Sequence, residues 1–318
     1  MLQRCRKSGC ATLSSIPRDW SGCSGIARTG LKPGSVMTQR TLLVLDFSGV
    51  LSLEAVCFGM PDRLEQALRH SGLWELGVDG AHYWNDVVKP TWDLGSTTRT
   101  PYAYLMAQHV HSPHVAFDDA LRRAEQFVQA YMQASVIDPV WRALFDALQS
   151  ANSVAPLIAT DHYAEATAHI AQQIESIGWR AAALQMDASG RVVIEGGASD
   201  SLPPHTVALA NSADLGAHKE GALFWSRVRA GLAIEPDQIL VIDDFGANEH
   251  LLDFYADPAK VTRRQAQTLA AISSAFGAPT HTLPFIIERP FPDLEALHAM
   301  YRAQAEQTIR RVMETIQA

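Results

Sequence analysis

Short unbroken apolar runs alternate along this chain with longer stretches in which apolar residues return every three or four positions. "LLVLD" (42–46) is the first such run, and the chain breaks soon after it at Gly49. "APLIATD" (155–161), "TVALANS" (206–212) and "QILVIDD" (238–244) repeat the form. Runs of this length without polar alternation fit strands buried on both faces, as in a parallel sheet. "AEATAHIAQQIESIGW" (164–179) sets Ala168, Ile170 or Ala171, Ile174 and Ile177 at helical spacing. "EGALFWSRVRAGL" (220–232) reads as a helix ending near Gly231. Strands alternating with helices predict the α/β class, as a doubly wound parallel sheet.

Residues 53–150 break this alternation. "DRLEQALRHSGLWEL", "DDALRRAEQFVQAYMQ" and "PVWRALFDALQS" are helical in period, with no convincing buried strand among them. A helical block between the first two strands predicts an inserted cap over 53–150, with the sheet domain built from 41–52 and 151–292. Its Trp74, Tyr83, Trp84, Trp92, Tyr102, Tyr104, Tyr131 and Trp141 fit helix packing, and a few are placed to line a pocket. "DLEALHAMYRAQAEQTIRRVMETIQ" (293–317) predicts one long helix closing the chain at 293–318, and a further strand is expected near 281–287.

Composition narrows the class. Hydrophobic residues make up 47% and charged residues 19%, as in ordinary globular proteins. A net charge of −8 argues against a nucleic-acid partner, which is normally met by a basic patch. No run reaches the ~18 apolar residues of a membrane span, so no membrane partner is expected. The charge is uneven: residues 1–40 hold seven Lys/Arg against Asp19 alone, and the rest holds 19 basic and 33 acidic residues. Three of the four cysteines, Cys5, Cys10 and Cys23, share that basic stretch. A transit peptide, a metal-binding cysteine group and a disordered basic extension before a domain beginning at Met37 compete; the composition favours the last. Cys57 is then alone in the domain, which excludes an internal disulfide and fits a cytoplasmic setting.

Candidate chemistry gathers where strands end. In an open parallel sheet, ligands bind beyond the carboxyl ends of the strands. Asp46, Thr160–Asp161 and Asp243–Asp244 stand at three such ends, and "ANSADLGAHKE" leads from a fourth to Lys219. Acids, a hydroxyl and a lysine at one edge predict a metal and phosphate site.

"LLVLDFSGVL", "PLIATD", "SADLGAHKEGALFW" and "IEPDQILVIDDFGANE" resemble the four motifs of the haloacid dehalogenase (HAD) superfamily over about residues 41–255. The resemblance implies an Mg²⁺-dependent hydrolase that takes a small phosphorylated substrate through an aspartyl-phosphate. It implies Asp46 as nucleophile, Thr160 as donor to a phosphoryl oxygen and Lys219 as the neutralising cation. Mg²⁺ would be held by Asp46, Asp243, Asp244 and the backbone carbonyl of Ser48. Gly49 would let the chain turn toward the cap.

Ser48 departs from the pattern, because the family's phosphatases carry there a second Asp that cycles the proton. A general acid/base contributes typically ~10²–10⁴-fold, and a serine hydroxyl does not replace it unaided. Asp161 is one substitute, unless it merely caps the helix starting near Ala164. A phosphonatase-like reaction through a Schiff base on Lys89 is a second reading, and a catalytically silent binding module a third. The "HVHSPH" histidines His109, His111 and His114, with His218, His250 and His281, raise a second metal only weakly.

Overall fold

The apolar run after Arg40 becomes strand β1 (Thr41–Leu45), with every side chain buried. The computed structural model describes residues 40–195, 202–248, 258–288 and 291–317, so the readings placed on residues 1–39 and on His250 lie outside the described residues. Six more strands follow: β2 (Val154–Thr160), β3 (Arg180–Met186), β4 (Val192–Ile194), β5 (Thr206–Asn211), β6 (Gln238–Asp243) and β7 (Thr280–Pro284). They form one sheet in the order β4-β3-β5-β2-β1-β6-β7. All neighbours run parallel except β3 and β4. The expected α/β class and mostly parallel sheet are therefore present.

Successive side chains of a strand point to opposite faces, and β1 divides its residues accordingly. Leu42 and Val44 join Leu157, Phe224, Trp225 and Ile272 on one side. Leu43 and Leu45 join Ile158, Phe145, Ile170 and Tyr301 on the other. Burial on both faces is why β1 is apolar throughout rather than alternating.

Residues 53–150 fold as helices: α1 (Glu54–Cys57), α2 (Pro61–Ser71), α3 (Gly80–His82), α4 (Lys89–Thr97), α5 (Tyr102–Val110), α6 (Phe117–Ala134) and α7 (Arg142–Leu148). A π-helical stretch, Tyr83–Val88, joins α3 to α4. Leu64, Leu68, Phe127 and Phe145 make this block continuous with the apolar cluster on the Leu43 side of the sheet. The chain continues through α8 (Glu165–Ser176), α9 (Ser212–Leu215), α10 (Ala222–Leu232), α11 (Pro258–Phe276) and α12 (Leu294–Gln317).

Two parts exceed the sequence expectation. The β3–β4 hairpin comes from "RAAALQM", whose alanines have little strand preference, and from only three residues of β4. Pairing with β5 on one side and β4 on the other fixes it as strand. The second is α11, whose buried positions are limited to Thr268, Ala271, Ile272 and Phe276.

Candidate active site

The parallel register carries the strand ends to one edge. Leu45 lies level with Ile158 of β2 and Ile242 of β6, so the next residue, Asp46, falls beside the end of β6. The Asp46 backbone N–H donates to the Ile242 carbonyl at 2.9 Å and extends the ladder by one step. Thr160, ending β2, is level with Asn211, ending β5.

Four charged side chains converge there and all are buried: Asp46 is 4% exposed, Lys219 6%, Asp243 2% and Asp244 0%. Lys219 Nζ lies 2.6 Å from Asp46 Oδ2 and 2.9 Å from Asp243 Oδ2. Carboxylate oxygens of Asp46, Asp243 and Asp244 fall within 4.8 Å of one another, close enough for one cation to touch all three. Sequence reasoning required Asp46 and Asp244 to meet, and they do.

Backbone donors fix each acid. Asp46 Oδ1 accepts from the Phe47 N–H at 2.8 Å, and Asp243 Oδ1 from the Phe245 N–H at 2.6 Å. Asp244 accepts from the N–H groups of Gly246 and Asn248 at 2.8 and 2.7 Å. Lys219 is anchored through both of its backbone polar groups. Its N–H donates to Asp161 Oδ1 at 2.8 Å, and its carbonyl accepts from Trp225 Nε1 at 2.6 Å. An ammonium on so fixed a backbone needs no reorganisation to meet charge developing between the acids.

Burial works against the Lys219 ammonium, but Asp243, Asp46 and Asp161 outweigh it and hold its pKa above the usual 10.5. Burial pushes the Asp46 carboxyl well above 3.8, reinforced by Asp243 and Asp244 and opposed by Lys219. Both directions give one picture, in which the lysine stays charged and the acids outnumber it. Three buried carboxylates against one ammonium leave negative charge that a low-dielectric site tolerates poorly. The donors are all oxygen, which suits a hard cation.

The turn after Asp46 is held tightly. The Leu51 N–H donates to the Asp46 carbonyl at 3.3 Å and the Ser52 N–H to the Phe47 carbonyl at 2.8 Å, two successive π-type bonds. Ser48, buried, sits inside this turn and bridges to Ser52. Gly49 adopts φ +74°, and a Cβ there would stand 2.7 Å from Asp244 Oδ2. Only glycine fits both demands.

Asp161 does not cap the helix after it: α8 begins at Glu165, with Ala164 at its N-cap position and no side-chain cap bond. Its second oxygen lies 3.5 Å from Arg264 Nη2 of α11. Lys89 is exposed at the start of α4. His109, His111 and His114 are exposed and belong to no converging ligand group among the described residues.

Three residues at this edge escaped the sequence reading. Asn248 donates to the carbonyls of Gly49 and Phe285, both at 2.8 Å, and accepts from the Ile287 N–H at 3.0 Å. It thus ties the turn after β1 to the chain after β7. Arg264 reaches both Asp161 and Glu220. His162 follows Asp161, is 3% exposed and accepts the Tyr163 N–H at Nδ1, which leaves its proton on Nε2 facing the Tyr131 hydroxyl at 3.1 Å. Burial first, then His169, lowers its pKa to about 4, so the ring is neutral. "TDHY" offered only the adjacency to Asp161 as a signal.

The helical block reaches this edge twice. Tyr131 of α6 stacks on His162, and Trp92 of α4 stacks on His218 at 6.3 Å while Ser96 meets His218 Nε2 at 2.8 Å. No protein-family model and no curated protein matches the chain.

Proposed function

We propose that this chain is a HAD-like, Mg²⁺-dependent hydrolase or phosphotransferase that moves the phosphoryl group of a small organic phosphate through Asp46. The observation that carries this reading is Lys219 Nζ, held between Asp46 and Asp243 with Asp244 in the same buried cluster. The all-oxygen donor set fits Mg²⁺, which Asp46, Asp243, Asp244 and the Ser48 carbonyl would hold. When bound, Mg²⁺ would neutralise charge on the phosphoryl oxygens.

In this reading Asp46 attacks phosphorus, the bond from phosphorus to the leaving oxygen breaks, and an acyl phosphate forms on Asp46. Thr160 donates to a phosphoryl oxygen, and Lys219 offsets the charge shared by nucleophile and phosphoryl group. Water then cleaves the acyl phosphate and restores the carboxylate. Both Asp161 oxygens are engaged, one by the Lys219 N–H and one by Arg264, which favours a positioning role over proton transfer. The 53–150 helices act as the cap, with Trp92 and Tyr131 where they meet the site's edge.

A phosphate- and phosphonate-release panel with and without Mg²⁺ tests the reading. Release should require Mg²⁺, Asp46→Asn should abolish it, and beryllium fluoride should label Asp46. Wild-type turnover in Asp46→Asn would remove the covalent mechanism. Labelling without turnover on any ester would favour a binding module, and release from phosphonates alone would return attention to Lys89.

A further inference from the structure

Away from the acidic cluster, a second group of ligating side chains meets between elements far apart in sequence. Glu54 and Cys57 open and close α1, three residues apart and so on one helix face. His298 comes from α12, one turn before Tyr301, which is buried against the carbonyls of Val50 and Leu51. One ligand atom from each of Glu54, Cys57 and His298 lies within 4.8 Å of the other two.

We propose that Glu54, Cys57 and His298 form a metal site for a divalent cation of the zinc class, fastening α12 to α1. Thiolate sulfur, imidazole nitrogen and carboxylate oxygen are the donors such a cation prefers, and a hard cation such as Mg²⁺ does not select them. One of the three ligand spacings is nearly that of a tetrahedral site. His298 Nε2 and Glu54 Oε1 are 3.1 Å apart. Nitrogen and oxygen ligands at ~2.0 Å from a tetrahedral metal would stand ~3.3 Å apart.

The surroundings also fit. Glu54 turns its other oxygen, Oε2, to Arg63, the outer hydrogen-bond partner that ligating carboxylates commonly have. Cys57 is fully buried, while the Glu54 and His298 side chains are 28% and 25% exposed, which gives the ion an entry and leaves a fourth position toward water. Binding exchanges the Cys57 thiol proton, which goes to solvent, for the ion. No redox change is involved.

Cobalt(II) is the probe, because a thiolate–cobalt bond gives a near-ultraviolet charge-transfer band and a tetrahedral site gives intense visible bands. The full chain, stripped with chelator and titrated with Co²⁺, should develop both with one equivalent, and Zn²⁺ should displace them. Cys57→Ser and His298→Gln should each lose the charge-transfer band or weaken binding by at least ~10-fold, the usual scale for removing a ligand or its support. Asp46→Asn should leave the spectrum unchanged. Zn²⁺ should raise the melting temperature of the stripped wild type and not that of His298→Gln, which keeps the test open if Cys57→Ser fails to fold. Cys5, Cys10 and Cys23 lie outside the described residues. A band that survives Cys57→Ser, or that forms in His298→Gln with unchanged affinity, therefore arises elsewhere and overturns the assignment, as does a wild type that develops none.

Discussion

At position 48 a serine hydroxyl stands two residues past a buried carboxylate, in a turn too tightly bonded to move far. It can donate a hydrogen bond but does not readily cycle a proton near neutrality. In the proposed reaction, leaving groups that depart without protonation should therefore be favoured, with aryl and acyl phosphates cleaved well ahead of alkyl phosphates. Ser48→Asp should raise alkyl-ester turnover, by ~10²-fold or more if the carboxylate reaches the leaving oxygen. Steady-state rates on matched aryl and alkyl esters check this. A Ser48→Asp enzyme slower on every ester, beside a wild type brisk on alkyl phosphates, would place the proton work elsewhere. The acids themselves were legible, because Asp46, Asp243 and Asp244 each end an apolar run, and Lys219 follows one at short range. Asn248 and Arg264 were not. Their partners Gly49 and Asp161 lie 199 and 103 residues away, and no local pattern marks such a pair.

Between elements, the last helix fixes the first turn. The Tyr301 hydroxyl of α12 meets the carbonyls of Val50 at 2.6 Å and Leu51 at 3.1 Å and accepts from Trp141 Nε1 at 2.8 Å, all in the buried core. Nearby, Arg302 and Asp138 form an ion pair at 3.7 Å with the arginine 59% exposed. The two contacts should differ in worth. Tyr301→Phe removes one partner from buried polar groups and should cost ~1–3 kcal/mol. Arg302→Ala breaks a solvated pair and should cost ~0–1 kcal/mol. Urea unfolding of both variants measures the difference, and equal losses would refute the importance given to the buried knot. The strands β1, β2, β5 and β6 were legible because burial on both faces makes their apolar runs continuous, and α8, α10 and α12 because their periodicity is plain. The β3 strand was not, since an alanine-rich segment states no preference until β5 and β4 pair with it. α11 hides similarly, because its buried positions, Thr268, Ala271, Ile272 and Phe276, are few and confined to its second half.

Across the whole molecule, folding encloses titratable groups whose effects on acid stability have opposite signs. Asp46 has its pKa raised on folding, so it favours the folded state below its unfolded value of 3.8, and that contribution is lost as pH rises through the folded value. His162 works the other way. Its pKa falls from 6.5 to about 4 because the ring is buried, with His169 adding to the effect. Above 6.5 the ring is neutral in both states and its contribution is complete. As pH falls from there, the unfolded chain takes up a proton that the folded chain refuses, so stability declines toward pH 4. A shift of that size corresponds to about 3 kcal/mol, undiscounted because the ring is shielded from water. His162→Gln offers an oxygen to the Tyr163 N–H and an amide N–H to the Tyr131 hydroxyl, yet cannot titrate. Relative to wild type, it should therefore gain about 3 kcal/mol between about pH 7 and about pH 4. Denaturant unfolding of both proteins at the two pH values gives that number directly, and the remaining groups, His169 and Asp46 among them, cancel in the comparison. A difference that stays constant across the range would mean that His162 is not the group through which acid loosens this fold.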